Sequence, residues 1–221
     1  MDAASAESGV SPAAATSGAT DLADGLLPAS AFAPGATVLP LTEELLHSSG
    51  LPMGGLPEGG VPAGAQLDPG GCADLLAALQ AAAAEGVDDA AGQAVLEGDR
   101  VTVQGLVSGA AAEGAVATVA GSLPGCERAS VSVPERGAAT LTVGDVREPD
   151  LGDAAVEVSA TVDATLPDGR QVSVPVLAAL VQDGDRVLAL ATAAPQGVAL
   201  DEGAFADRLA EAHQVQADAL G

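Results

Sequence analysis

Few side chains in this chain of 221 residues are of a type and spacing that could do chemistry. His47 and His213 are the only imidazoles. Neither has a cysteine or a second histidine at the short spacing a zinc site uses, so no metal centre is expected. His213 falls on the apolar stripe of the C-terminal segment, where an imidazole serves as a hydrogen-bonded packing group. His47 precedes a Gly/Pro-rich stretch and is expected at the surface. Paired acids occur at Asp183/Asp185, Asp88-Asp89 and Asp150/Asp153. A calcium loop needs more oxygen ligands than any of these supplies, and tight turns call for the same residues. They are read as turn residues.

Nucleophilic chemistry finds no foothold. There is no G-x-S-x-G, no lysine for a Schiff base or a phosphate, and no P-loop or dinucleotide fingerprint. No cofactor is expected, and the chain is not read as an enzyme. A hydrolase with an unfamiliar acid–base pair is the remote alternative, and a strongly raised carboxylate pKa inside a cleft would revive it. All seven basic residues are arginines. Arg147 and Arg186 flank strand-like segments, and their ordinary role is to pair with neighbouring acids. Arg147 could instead hold a ligand carboxylate. Arg147 and His213 are therefore the two candidate ligand-binding residues.

Charge removes whole classes of partner. Thirty-one acids against seven arginines give a net charge of −24. Such a surface repels nucleic acid and anionic headgroups at long range. The acidity fits either solubility in an exposed compartment or adaptation to high salt, and a melting series against salt separates the two. The absence of Lys, Ile, Asn and Tyr, whose codons are A/T-rich, points to a GC-rich genome. Val, Leu and Ala must build the core, with Phe32 and Phe205 as the only aromatics. Cys72 and Cys126 stand 54 positions apart, a spacing that matches no CxxC site. They are either two buried thiols or, in an exported protein, a disulfide that would stabilise the fold by about 4 kcal/mol.

The elements that must position these groups are read from periodicity. Residues 138–194 hold four apolar segments broken by EPDLGD, LPDGR and QDGDR, each with the chemistry of a tight turn. In the second, Val156, Val158, Ala160, Val162, Ala164 and Leu166 alternate with Glu157, Ser159, Thr161, Asp163 and Thr165, which predicts a strand with one dry and one wet face. The stretch is an antiparallel meander. Upstream, VTVQGLV (101–107) and ASVSVP (129–134) are strands, 36–41 is a short extended piece, and 87–98 is an acidic approach.

Four helical segments are expected. One is TEELLHS at 42–48, with Thr42 as its N-cap. The second starts at Cys72 and runs to Gly86, with Leu75, Leu76 and Leu79 on one face. The third carries Ala112, Val116, Val119 and Leu123 on one face and stops at Pro124-Gly125. The last follows Asp201 as N-cap, with Phe205, Leu209, His213, Gln216 and Leu220 in a stripe. Residues 50–71 are read as loop. The fold class is α+β: a single antiparallel sheet of about six strands, packed by three or four helices. Residues 1–24 read as a flexible tether, and 25–221 as one domain. The tether is like the spacer between a lipidated cysteine and the domain it anchors, so membrane contact is expected only through an N-terminal anchor already removed.

The order LLPASAFAPGATVLPL, Cys-headed helix, VTVQGLVSGAA, a Cys before a short strand, TLTVGDV, PDLGD, a strand pair around DG and a closing helix resembles the PknH-like extracellular sensor domain of envelope lipoproteins and kinase ectodomains in high-GC Gram-positive bacteria. The likeness covers roughly residues 26–220. It implies an exported, disulfide-bonded α+β domain with an antiparallel sheet and a cleft formed by helices. The bonded cysteines carry over to Cys72 and Cys126. The family's kinase sensor has further cysteines that this chain lacks. On this basis the chain is expected to be a non-catalytic, extracytoplasmic, monomeric domain of the cell envelope. Its partner would be a small or lipidic ligand or an envelope protein. A structural or protein-interaction role is the alternative.

Overall fold

The computed structural model describes residues 22–41, 66–75, 77, 89–110, 112–134 and 137–221. The helix expected at 42–48, His47 and most of the helix expected from Cys72 lie outside them. Among the described residues nine strands form one sheet: β1 (Thr37–Leu41), β2 (Gln66–Asp68), β3 (Asp89–Glu97), β4 (Arg100–Ser108), β5 (Arg128–Val133), β6 (Gly137–Arg147), β7 (Ala154–Thr165), β8 (Gln171–Asp183) and β9 (Arg186–Ala193). Their order across the sheet is β1-β3-β4-β9-β8-β7-β6-β5-β2. Every neighbouring pair is antiparallel. Two α-helices, α1 (Ala115–Ser122) and α2 (Glu202–Leu220), pack on it. Short helical stretches occur at 22–24 and 73–75.

The expectation of about six strands is corrected to nine. The acidic approach is strand β3, whose inward positions are Ala91, Gln93 and Val95. A glutamine among small residues hid the alternation. Its burial is tolerated because its amide is satisfied: Gln93 Nε2 donates to the Leu27 carbonyl and to Gln104 Oε1, both at 2.9 Å. Gln104 Oε1 also accepts from the Leu27 amide at 2.9 Å. The pair of amides fastens the segment around Leu27 to β3 and β4. Strand β1 accommodates Pro40 because it is an edge strand with one side unpaired. Strand β2 has only three residues and lies inside the stretch read as loop.

Each face of the sheet has its own apolar cluster. Helix α2 begins after Asp201, whose carboxylate accepts from the Ala204 amide at 3.0 Å. It buries Phe205, Leu209 and Ala212 against Val95, Leu106, Leu177, Val181, Leu188 and Leu190. On the opposite face α1 sets Val116 and Val119, with Ala112 and Leu123, over Val156 and Val187. Both helices lie where their periodicity predicts. The dry-face, wet-face reading of β7 needs correction. Ala155 and Glu157 belong to the nominally wet face, yet both are buried, while Val158, Ala160, Val162 and Ala164 are only half-buried. Side-chain type alone could not show that α2 crosses the first residues of that face. Leu22 already packs in the α2 cluster, so the folded domain includes the end of the expected tether.

Turn chemistry sets the hairpins. Gly98-Asp99 and Gly184-Asp185 are two-residue loops, with Gly98 and Gly184 at positive φ. In the PDLGD turn, a Cβ on Gly152 would fall 2.2 Å from the Gln182 carbonyl oxygen, so no other residue fits. The turn is held as Asp153 accepts from the Gly184 amide at 2.8 Å.

Candidate functional site

A β-bulge creates the most distinctive polar site. In the β6–β7 ladder Val143 pairs with Ala160 and Val146 with Val158, so Gly144 and Asp145 together face Ser159. Ser159 Oγ accepts from the Asp145 amide at 2.8 Å and closes the bulge. A Cβ on Gly144 would lie 2.6 Å from that oxygen. The extra residue resets the phase of β6. Arg147 now lies opposite Glu157, on the face that α2 covers; without the bulge Val146 would take its place.

Arg147 bridges two carboxylates. Its Nη1 lies 3.5 Å from Glu157 Oε1, and its Nη2 donates to Glu202 Oε2 at the start of α2. The Glu157 side chain is only 7 % exposed, against 50 % for Arg147 and 42 % for Glu202. Burial pushes the Glu157 carboxyl up from its ordinary pKa, Arg147 opposes the shift, and the Glu202 charge adds to it. The hydrogen bond and charge of Glu202 raise the Arg147 pKa, so the guanidinium stays protonated.

Beside this cluster is a cleft of about 270 Å³. Its floor is the polar stretch of the sheet, with the hydroxyl residues Thr142, Ser159 and Thr161, and Gly144 of the bulge. Pro175 and Leu177 of β8 add apolar surface, and Leu200 and Glu202 form the wall where the chain enters α2. Arg147 and Glu157 do not line it. The lining residues include no histidine or cysteine, and the raised carboxyl of Glu157 is held by Arg147 outside the cleft. The arrangement is suited to holding a small molecule, and it offers no acid–base pair aimed at one.

A second hollow, of about 430 Å³, lies by the disulfide. Asp68, Glu127 and Arg128 line it together with the backbone of Gly70, Gly71 and Gly125. It is larger, Ala129 is the only apolar side chain in its lining, and its glycines have a structural reason to be there. A Cβ on Gly71 would fall 1.8 Å from the Gly125 carbonyl oxygen, where the two backbones converge at the Cys72–Cys126 bond. Both sulfurs are buried, and the Cα atoms are 4.1 Å apart. The bond links the turn after β2 to the entry of β5.

The two candidates from sequence occupy different places. Arg147 stands behind the cleft wall, paired with acids. His213 lies in the second half of α2, its Nε2 4.0 Å from Asp183 Oδ2 by the β8–β9 hairpin. They do not form one site. Sequence reasoning missed Thr142, Ser159, Thr161, Glu157 and Glu202. One signal was present: Leu141 and Val143 sit at odd positions and Val146 at an even one, and this phase slip around Gly144 marks a bulge. Among the described residues, no group of three potential ligands could hold a metal, and no helix is long and apolar enough to cross a membrane.

No protein-family model and no curated protein matches the chain. Among solved structures, the extracellular domain of PknH from Mycobacterium tuberculosis aligns over 91 % of this chain and 95 % of its own, at 13 % identity and a TM-score of 0.57. A putative uncharacterised protein from Mycobacterium smegmatis aligns over 86 % of this chain and 90 % of its own, at 14 % identity and a TM-score of 0.42. The chain has the fold of the PknH extracellular domain.

Proposed function

We propose that this chain works outside the cytoplasm, in the cell envelope, as a non-catalytic, sensor-like domain that binds a small ligand in the cleft at the start of α2. The observation that carries the location is the buried Cys72–Cys126 bond within a fold shared with an extracellular domain. Disulfides persist in oxidising compartments and are rare in reducing ones. Binding is supported by the bulge and by a cleft that combines hydroxyls, one carboxylate and an apolar wall. The hydroxyls of the cleft lining have no imidazole beside them to activate one as a nucleophile, which supports a role without catalysis.

A second reading, an envelope interaction domain, draws on one feature. Leu39, Leu96 and Val101 are 47 %, 41 % and 39 % exposed and adjoin on the face opposite α2. Exposed apolar side chains that adjoin in this way mark interaction surfaces. The test is intact mass of the chain from its native envelope fraction, with thiols blocked during lysis and no reductant. The expected result is an unlabelled, oxidised chain with a co-purified small molecule. Two labelled thiols in folded, cytosolic protein would overturn the proposal.

A further inference from the structure

The cleft also specifies the chemistry of its occupant, provided it is the ligand site proposed above: we infer that it takes a small primary amine, with the ammonium on Glu202 and a short apolar part against Leu177 and Leu200. Glu202 is the one charged side chain that lines the cleft. Its partner Arg147 approaches from outside and is shared with Glu157, so one cation serves two carboxylates. Glu157 is nearly fully buried, so moving that guanidinium away would leave its carboxylate buried and unpaired. Glu202 is part-exposed, and a carboxylate has lone pairs for more than one donor. It can accept a second cation on the cleft side.

The rest of the lining selects among cations. Thr142, Ser159 and Thr161 present hydroxyl oxygens, which accept from N–H groups. A quaternary ammonium has no N–H to give and is recognised through aromatic faces instead. The only two aromatic residues, Phe32 and Phe205, are both buried in the core, so no aromatic cage exists. The same lack of an aromatic platform disfavours a sugar ring. A carboxylate ligand would meet Glu202 first, within a chain of net charge −24. The volume is near the lower end of ligand pockets, so the occupant is a few carbons long.

The test is amide chemical-shift mapping of the oxidised chain titrated with n-butylammonium chloride, sodium butyrate, 1-butanol and tetramethylammonium chloride. The expected result is saturable shifts at Thr142, Ser159, Thr161, Leu200 and Glu202 with n-butylammonium. Glu202→Gln should weaken that binding by about tenfold, since a hydrogen bond to a charged group is lost. If butyrate, butanol or tetramethylammonium saturates the same residues equally well, or Glu202→Gln changes nothing, the amine assignment fails and the cleft remains a binding site. Amine shifts scattered over the acidic surface also overturn it. No saturable shift at the cleft with any of the four probes overturns both the assignment and the cleft reading.

Discussion

The two ends of the sheet are built differently. Under α2, strands β3, β4, β9 and β8 supply fully buried residues such as Val95, Leu106, Leu188 and Val181, and several of their polar groups pair with one another. Thr102 and Thr192 share a hydrogen bond of 3.0 Å, and the Gln93–Gln104 pair holds Leu27. At the other end, β5, β6 and the outer part of β7 have no fully buried side chain. That end has instead a bulge, a hydroxyl-lined cleft and a disulfide. One end holds the fold, and the other carries the cleft proposed for the ligand. The disulfide stands where apolar burial is thinnest, which is where a covalent tie contributes most.

Substitutions should divide along that line. Leu209→Ala, at the centre of the α2 contact, should cost about 2–5 kcal/mol in denaturant-derived stability. Thr161→Ala at the open end should stay within about 0.5 kcal/mol. Equal losses would erase the distinction. Removing the disulfide with Cys72→Ser/Cys126→Ser should cost about 2–4 kcal/mol. Hydrogen exchange should place the loss first in β5 and the turn after β2. Uniform loosening across the sheet would mean that the tie is not local.

The two arginine–glutamate pairs sharpen the contrast through pH. At the closed end Arg208 lies 2.6 Å from Glu97 and stacks over Phe32 at 5.1 Å. Burial pushes the Glu97 carboxyl up, but the Ala33 amide and Arg208 outweigh it, and its pKa is lowered. Its contribution is therefore present above the unfolded carboxyl pKa and lost as pH falls through the lowered folded value. Glu157 is the reverse case. Its raised pKa means its buried charge costs stability at neutral pH, and the cost is relieved as pH falls through the raised value. Unfolding midpoints between about pH 3 and pH 7, the range that spans carboxylate titration, should show Glu97→Gln flattening the acid limb. Glu157→Gln should remove the opposing slope. Identical profiles for the two variants would contradict the assignment. The smallest expected effect is Val146→Thr, at an exposed position on the far side of the bulge, which should be near neutral.

Much of the closed end was legible in the sequence because its periods are clean. The α2 stripe from Phe205 to Gln216, its Asp201 cap and the α1 face at Ala112, Val116, Val119 and Leu123 follow from spacing alone. Strand β3 was not legible, because a buried glutamine mimics a surface residue until its partner Gln104 is known. The open end was harder. Its cleft residues include two ordinary threonines and a serine whose meaning depends on α2 arriving later in the chain. The slip in phase between Val143 and Val146 was the available clue, and only the pairing across to β7 gives it sense. Arg147 drew notice by rarity, but its role depends on which carboxylates the bulge brings to it.

Crystals of the oxidised chain soaked in a mixture of small polar and apolar fragments would test the division of labour most directly. The account predicts that fragment density clusters in the cleft, against Thr142, Ser159, Thr161 and Glu202. Density gathered only on the strip of Leu39, Leu96 and Val101, with the cleft bare, would contradict it and place the interaction surface on the opposite face.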